Sequence, residues 1–319
     1  MTPSPDTPVP PRWLHWWAIL TVGATLPLLF LGAEVTTKGA GMADPQGFRP
    51  PWELLQILAR DWFRMDLRIE YSHRLAGMVV GTCVIVLLAG LWWGEPRRGV
   101  RWLGVLALAL ICTQGLLGIF RVDLNLYLGK TLALVHGLFA QVVIATLVCV
   151  AVVTSRGWLG DRGEPTSPAL RRWTLLTVLV VFAQLLFGGM TRHKDFPLGP
   201  RGHLLGAFVV VACVLWLAKL VYDSEQRESF ARGVKVLVGL VCVQLLLGVE
   251  TWLSKFHVAG ADLPQLQPLS ADPDWLSWLR SAHYVVGTMI FATSVVVALK
   301  AHRQTAVTVA PVRMLEGAV

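Results

Sequence analysis

Four histidines stand at equivalent points of this chain. His73, His136, His203 and His283 each fall within the first turn or two of an apolar run, and those runs are the second, fourth, sixth and eighth. Read as membrane helices, the even-numbered runs all start on the same side, so the four imidazoles line up at one depth near one face of the bilayer. An imidazole in lipid is costly without a partner and marks a functional site by default. Facing helices of a bundle build cofactor sites from such side chains, and imidazoles are axial ligands of haem iron. The array therefore has the make-up for two six-coordinate haems. The competing reading is helix–helix hydrogen bonding by scattered histidines.

The elements that must position these residues are set by composition. The chain is 55% hydrophobic and 15% charged, with a mean hydropathy of +0.58, whereas a soluble protein carries about 25% charged residues. Apolar runs of the roughly 20 residues needed to span a bilayer lie at Trp13 to Ala33, His73 to Trp93, Trp102 to Phe120, Leu132 to Val153, Trp173 to Met190, His203 to Val221, Val234 to Trp252 and Ala282 to Ala301. The first is too long for the apolar region of a signal peptide and ends like the other odd runs. The fold class expected is an all-α membrane protein of eight transmembrane helices.

Connections after the even runs are rich in arginine and lysine, with Arg97, Arg98, Arg101, Arg156, Arg162, Arg171, Arg172, Lys219, Arg227, Arg232 and Lys235, and Lys300 and Arg303 follow the last run. By the positive-inside rule these ends are cytoplasmic. Both termini are then inside the cell membrane and the histidines lie toward its outer face. The net charge of +8 is largely this topogenic arginine and gives no reason to invoke nucleic acid.

Odd runs end in related words: Leu28 to Glu34, Gln114 to Arg121, Gln184 to Arg192 and Gln244 to Thr251. Even runs carry the histidine with a small residue four positions later, namely Gly77, Ala140, Ala207 and Gly287. At that spacing the small residue shares the histidine's face, where a flat macrocycle or a neighbouring backbone can approach. Four hairpins give two four-helix bundles, residues 1–159 and 160–319, related by a pseudo-twofold axis along the membrane normal, with the stretch from Gly160 to Pro168 as the hinge. The only such histidines of the first half are His73 and His136, and of the second His203 and His283, so the pairs follow the halves. No run has two histidines about a dozen residues apart, so the sites do not form a wire across the membrane.

Carboxylate groups of a haem need cations. Arg74, Arg121, Arg201 and Arg280 lie beside the histidines or at the matching helix ends, although each could instead be an interfacial snorkelling residue. The halves differ at one point. Glu70 precedes His73 by three residues, and the corresponding stretch Pro200-Arg201-Gly202-His203 has no carboxylate. Glu70 could accept a proton at the first site, or it could be a favourable charge at a helix N-terminus.

At these residues the chain resembles the haem A synthase family of bacterial and mitochondrial membranes. The words that carry the resemblance are Glu70-x-x-His73-Arg74, the stretch Ala133 to Gln141 around His136, the later His203 and His283, and the glycine-rich Thr36 to Pro45 after the first run. The resemblance implies oxidation of the ring methyl of haem O to the formyl group of haem A. It places the haem O substrate in the first half, with His73, His136 and a catalytic Glu70, and a resident haem B that relays electrons in the second, with His203 and His283. Haem O synthase, an external electron donor or acceptor, membrane lipid and a homo-oligomer are the partners that follow.

Many bacterial members carry a cysteine pair in an outer loop, where this chain has Ala43. Cys83, Cys112, Cys149, Cys213 and Cys242 all fall inside apolar runs, so no disulfide is expected. The segment Trp52 to Glu70 reads as one amphipathic helix on the outer surface. His15, His193, His257 and His302 read as solvated or interfacial, with a copper site or substrate-access role for His193 or His257 as the alternative. Gln114, Gln184 and Gln244 read as interhelical contacts. A haem-binding quinone oxidoreductase or a haem carrier is the alternative function, and a channel or transporter comes third.

Overall fold

A computed structural model describes residues 9–160, 166–193, 197–256 and 274–303. Among the described residues the secondary structure is helical: α1 (Arg12–Thr37), α2 (Pro51–Arg60), α3 (Met65–Gly94), α4 (Arg98–Asp123), α5 (Asn125–Val153), α6 (Arg156–Leu159), α7 (Pro168–Arg192), α8 (Leu198–Tyr222), α9 (Arg227–Phe256) and α10 (Asp274–Arg303). All but α2 and α6 are long and apolar enough to cross a membrane. Helices are the natural solution there, because every backbone group is bonded within the segment.

The helices begin before the apolar runs do. α3 starts at Met65 and α5 at Asn125, so His73 and His136 lie in the third turn or beyond rather than the first or second. A helix continues into the interfacial layer as long as its backbone bonds are made, while hydropathy marks only the stretch in hydrocarbon. The segment expected as a single surface helix from Trp52 to Glu70 is divided. α2 ends at Arg60, Asp61 to Arg64 form a turn, and Met65 opens α3. Leu54 is the buried residue of α2, with Ile57 and Leu58 beside it, while Leu55 and Trp62 are exposed. α2 therefore docks on Leu67 and Tyr71 of α3.

Helices α1, α3, α4 and α5 each contact two others of the set, in the order α1–α3–α4–α5–α1. Helices α7, α8, α9 and α10 do the same in the order α7–α8–α9–α10–α7. One apolar cluster fills each set, around Leu14, Leu87, Leu91 and Leu147 in the first and Leu217, Phe230, Leu237 and Phe291 in the second. α10 also lies against α1 and α5, where Leu29, Ile144 and Val148 meet Val285, Ala292 and Val296. Lipid supplies no hydrophobic drive for helix association, so close approach through small residues matters. Exposed tryptophans gather at both ends: Trp13, Trp16, Trp92, Trp93 and Trp102 at the basic end, and Trp52, Trp62, Trp275 and Trp278 at the histidine end. That distribution is the aromatic belt of a membrane protein.

The five cysteines are free and lie in α3, α4, α5, α8 and α9. Ala43 packs on the Leu54–Leu67–Tyr71 cluster, so apolar contact fixes the loop at the position where a cysteine was expected. Of the hinge, residues 161–165 lie outside the described residues, as does His257.

Candidate functional site

Each histidine is seated on a glycine of the long helix that precedes it. A Cβ built on Gly32, Gly118, Gly188 or Gly248 would lie 2.7, 3.3, 3.1 or 3.1 Å from the imidazole Cε1 of His73, His136, His203 or His283, respectively. Only glycine leaves room for a ring so close to the helix backbone. These four glycines stand at one position of the repeated words Leu28 to Glu34, Gln114 to Arg121, Gln184 to Arg192 and Gln244 to Thr251. The repeat was the signal for them, but residue type alone assigned them no role. By contrast, Gly77 approaches Leu28 and Gly287 is covered by Gln244 and Leu185.

One turn before each glycine, the same helices supply a polar contact to the histidine. The Nδ1 of His73 lies 3.2 Å from the carbonyl of Leu28. Gln114 Nε2 donates to the His136 carbonyl at 3.1 Å and lies 3.2 Å from its ring Nε2. Gln184 Nε2 donates to the His203 carbonyl at 2.8 Å, and His203 Nδ1 is 3.3 Å from the Gln184 carbonyl. Gln244 Nε2 is 3.2 Å from His283 Nε2. The glutamines are interhelical contacts as the sequence suggested, and their partners are the histidines.

The rings of His203 and His283 meet edge-on, with centroids 6.0 Å apart at an interplanar angle of 79°. Metal–imidazole nitrogen bonds are about 2 Å, and adding about 1 Å from nitrogen to ring centre on each side gives roughly 6 Å across a single shared ion. His73 and His136 are electrostatic neighbours in the other helix set. His73, His136 and His283 lie deep among protein atoms yet keep exposed surface. Among the described residues the His283 Nδ1 and the Oε1 atoms of Gln114, Gln184 and Gln244 have no hydrogen-bond partner. Buried polar atoms left this way call for a missing partner. Two imidazoles in each helix set, seated on glycines, are the residues that would hold the metal of a flat macrocycle.

The segment after α1 forms a polar lid that packs on α3 and α4 near the first pair. Glu70 is 3% exposed; its Oε2 accepts from the Asp44 backbone N–H at 3.0 Å and its Oε1 from Arg74 at 2.5 Å. Arg74 also donates to the Gln46 carbonyl at 2.8 Å. Asp44 is paired with Arg49 and accepts from the Tyr71 hydroxyl at 2.8 Å. Burial pushes the Asp44 carboxyl up, but hydrogen bonds from Arg49, the Gln46 amide and Tyr71 outweigh it and bring it down to about 2. The segment after α1 turns at Gly39, whose φ of 67° is a left-handed conformation. It then lays Gly41 on the guanidinium of Arg121 and bonds the Gly47 N–H to Asp123 at 3.1 Å.

Arg74 and Arg121 are therefore gathered at the first pair, where both lie in electrostatic range of His73. Arg280 is three residues before His283 on α10. Arg201 is exposed at the start of α8. His15 Nδ1 is bonded to the Ala151 carbonyl at 2.9 Å and ties α1 to α5 rather than facing solvent, and His302 bonds back to the Ala298 carbonyl. His193 caps the C-terminus of α7.

A polar seam joins the two helix sets at the same end, through residues not singled out by type. Glu34 is 4% exposed and accepts from Ser277 at 2.9 Å and Ser281 at 2.5 Å. Arg192 donates to the Ala33 carbonyl and to Thr37. The hydroxyl of Tyr284, next to His283, donates to the carbonyl of Gly137, next to His136, and accepts from Gln141. A crevice of about 280 Å³ lined by Trp92, Arg98, Arg101 and Trp102 lies at the opposite, basic end and holds none of these groups.

A family model described as cytochrome oxidase assembly protein, COX15-CtaA, matches residues 3–148 and 57–198. The chain is 28% identical over 229 residues to a haem A synthase of Chelativorans sp. (strain BNC1), covering 58% of this chain and 60% of that protein. It is 24% identical over 289 residues to a haem A synthase of Lysinibacillus sphaericus (strain C3-41), covering 78% and 89%. A haem A synthase of Geobacillus kaustophilus (strain HTA426) is 32% identical over 144 residues, 43% of this chain and 44% of that protein. With the matched stretches reaching from residue 3 to residue 198, more than half the chain, this multi-pass membrane protein belongs to the COX15-CtaA family of cytochrome oxidase assembly proteins.

Proposed function

We propose that the protein is a haem A synthase, an oxidoreductase that converts the ring methyl of haem O to the formyl group of haem A. The observation that carries this reading is the fourfold seating of imidazoles on glycines, with His203 and His283 spaced for one six-coordinate metal between them. The relatives that align with the chain bear the same activity in their names.

In this reading His203 and His283 hold a resident haem B, which supplies reversible one-electron chemistry when bound. His73 and His136 hold the iron of the haem O substrate, and Arg74 and Arg121 face its carboxylates. The open side between lipid-facing helices suits the substrate's hydrocarbon tail. Turning a methyl into a formyl group exchanges two hydrogens for one oxygen, R–CH3 + H2O → R–CHO + 4 H+ + 4 e−, so an oxygen source, written here as water, and an external electron acceptor are both required. Glu70 is the carboxylate beside the first pair. Its two oxygens are held by Arg74 and the Asp44 amide, which fixes the segment after α1 to α3 beside the site. A proton can pass to Glu70 once the Arg74 contact loosens.

The two helix sets are taken as halves related by a pseudo-twofold axis along the membrane normal, residues 1–159 and 160–319. Arginine-rich ends place both termini in the cytoplasm and the imidazoles toward the outer face of the cell membrane. Haem O synthase is the fitting donor of substrate, and association of two copies is compatible with the exposed apolar helix faces. The test is expression of the full chain in hosts with and without haem O synthesis, followed by extraction and mass identification of the haems. Haem A formed only in the haem O-producing host supports the reading; haem O accumulating without any oxidised product, at normal protein level, overturns it.

A further inference from the structure

Arg192 is the last residue of α7, one turn beyond the Gly188 that seats His203. Its guanidinium donates to the Ala33 carbonyl at 2.5 Å and to Thr37 Oγ1 at 2.7 Å, both on α1, and lies 5.7 Å from the centre of the Tyr284 ring. Arginine offers five N–H donors, and both protein bonds come from a single terminal nitrogen. Among the described residues no carboxylate forms an ion pair with it. Glu34 is in electrostatic range but both its oxygens are taken by Ser277 and Ser281. The other charges in range, Arg121 and Arg280, have the same sign. Both of its hydrogen bonds to α1 go to neutral acceptors and Glu34 is engaged by two serines, so this partly buried guanidinium has donors left for an anionic partner. His283 is among the groups that feel its charge.

We propose that Arg192 is the carboxylate-binding residue of the second site, holding a propionate of the tetrapyrrole that lies between His203 and His283. Planar guanidinium and carboxylate match in a two-bond fork, and among the described residues Arg192 is a cation of the seam whose hydrogen bonds go to neutral acceptors. Arg121 stands at nearly the same place in the repeat, beyond Gly118, and serves the first site in the same way. Because Arg192 is also bonded to α1, the anion at the second site is tied to the helix that seats His73 on Gly32. The proposal rests on the tetrapyrrole reading above.

The test uses full-length protein depleted of haem and titrated with haemin and with haemin dimethyl ester, which lacks the free carboxylates. Wild type is expected to prefer haemin, and Arg192→Gln to bind haemin about tenfold more weakly, as for loss of a charged hydrogen bond, with the preference over the ester largely gone. Arg192→Lys should recover part of the preference. Release of resident haem from the purified holoprotein to excess apomyoglobin should be faster in Arg192→Gln by a similar factor, which gives a reading that needs no reconstitution. An ester preference that is the same in wild type and Arg192→Gln, or no preference in wild type, would overturn the assignment of Arg192. Wild type that binds neither porphyrin would overturn the tetrapyrrole reading itself.

Discussion

Replacing Gly248 by alanine isolates what the glycine seats do. The added Cβ would stand 3.1 Å from His283 Cε1, where ordinary contact begins at 3.4 Å. The ring must therefore give by a few tenths of an ångström. Alanine in a helix gains up to about 1 kcal/mol over glycine, and overpacking costs about 1–3 kcal/mol, so the ligand-free protein loses little, because a free imidazole can turn aside. An imidazole fixed to iron cannot turn, and the strain falls on binding. An unrelieved 1–3 kcal/mol corresponds to a loss of roughly fivefold to a hundredfold in affinity. Gly239 on the same helix has nothing within 4 Å of its Cβ position, so Gly239→Ala is the control. The assay is haem-to-protein ratio and the reduced-minus-oxidised spectrum of purified protein, beside thermal unfolding of the haem-depleted form. Gly248→Ala should unfold close to wild type yet carry much less low-spin haem, while Gly239→Ala keeps it. In the first site Gly32→Ala, with its 2.7 Å approach, should be more damaging than Gly118→Ala at 3.3 Å. Full, spectrally unchanged haem in Gly248→Ala would refute the idea that the glycines seat metal-bound imidazoles.

Glu70→Gln should fold and retain the second-half haem but make little haem A; loss of the charged bond to Arg74 removes about 1.5–3 kcal/mol of local stability, and normal haem A yield at matched protein level would reject a role for Glu70 in the reaction. A reporter fused after Lys300 should be cytoplasmic and one inserted near Gly47 external, and the reverse pattern would put the imidazoles on the inner side. The Asp44 carboxyl, brought down to about 2 from 3.8, contributes lid stability that is complete above pH 3.8 and lost as pH falls through about 2. Pepsin should therefore leave the segment around Phe48 intact at pH 3.5 and cut it near pH 1.5, whereas Asp44→Asn should be cut at both; cleavage of wild type already at pH 3.5 contradicts the docked lid.

Much of this architecture is legible in the sequence because lipid imposes a strong pattern. Eight apolar runs give eight long helices, and the four histidines at matching positions each come to lie against a glycine of a neighbouring helix, since period and burial in hydrocarbon are properties of the runs themselves. Helix ends are less legible: α3 starts at Met65 rather than His73, because backbone bonding carries a helix through polar residues that hydropathy reads as loop. The break at Asp61 to Arg64 escaped for the converse reason, as the apolar spacing from Trp52 to Ile69 continues across it. Gly32, Gly118, Gly188 and Gly248 were visible as a repeat but not as seats, because a glycine's role lies in what approaches it. Arg192 and Tyr284 act through contacts between the two helix sets, which no local pattern encodes.

The most direct test of the paired-imidazole arrangement is the haem content and low-spin spectrum of purified protein with each of His73, His136, His203 and His283 replaced by alanine in turn. His203→Ala and His283→Ala should lose the same resident low-spin haem, while His73→Ala and His136→Ala keep it and yield no haem A. A full complement of unchanged low-spin haem in either second-half variant, or its loss from both first-half variants, would contradict the pairing.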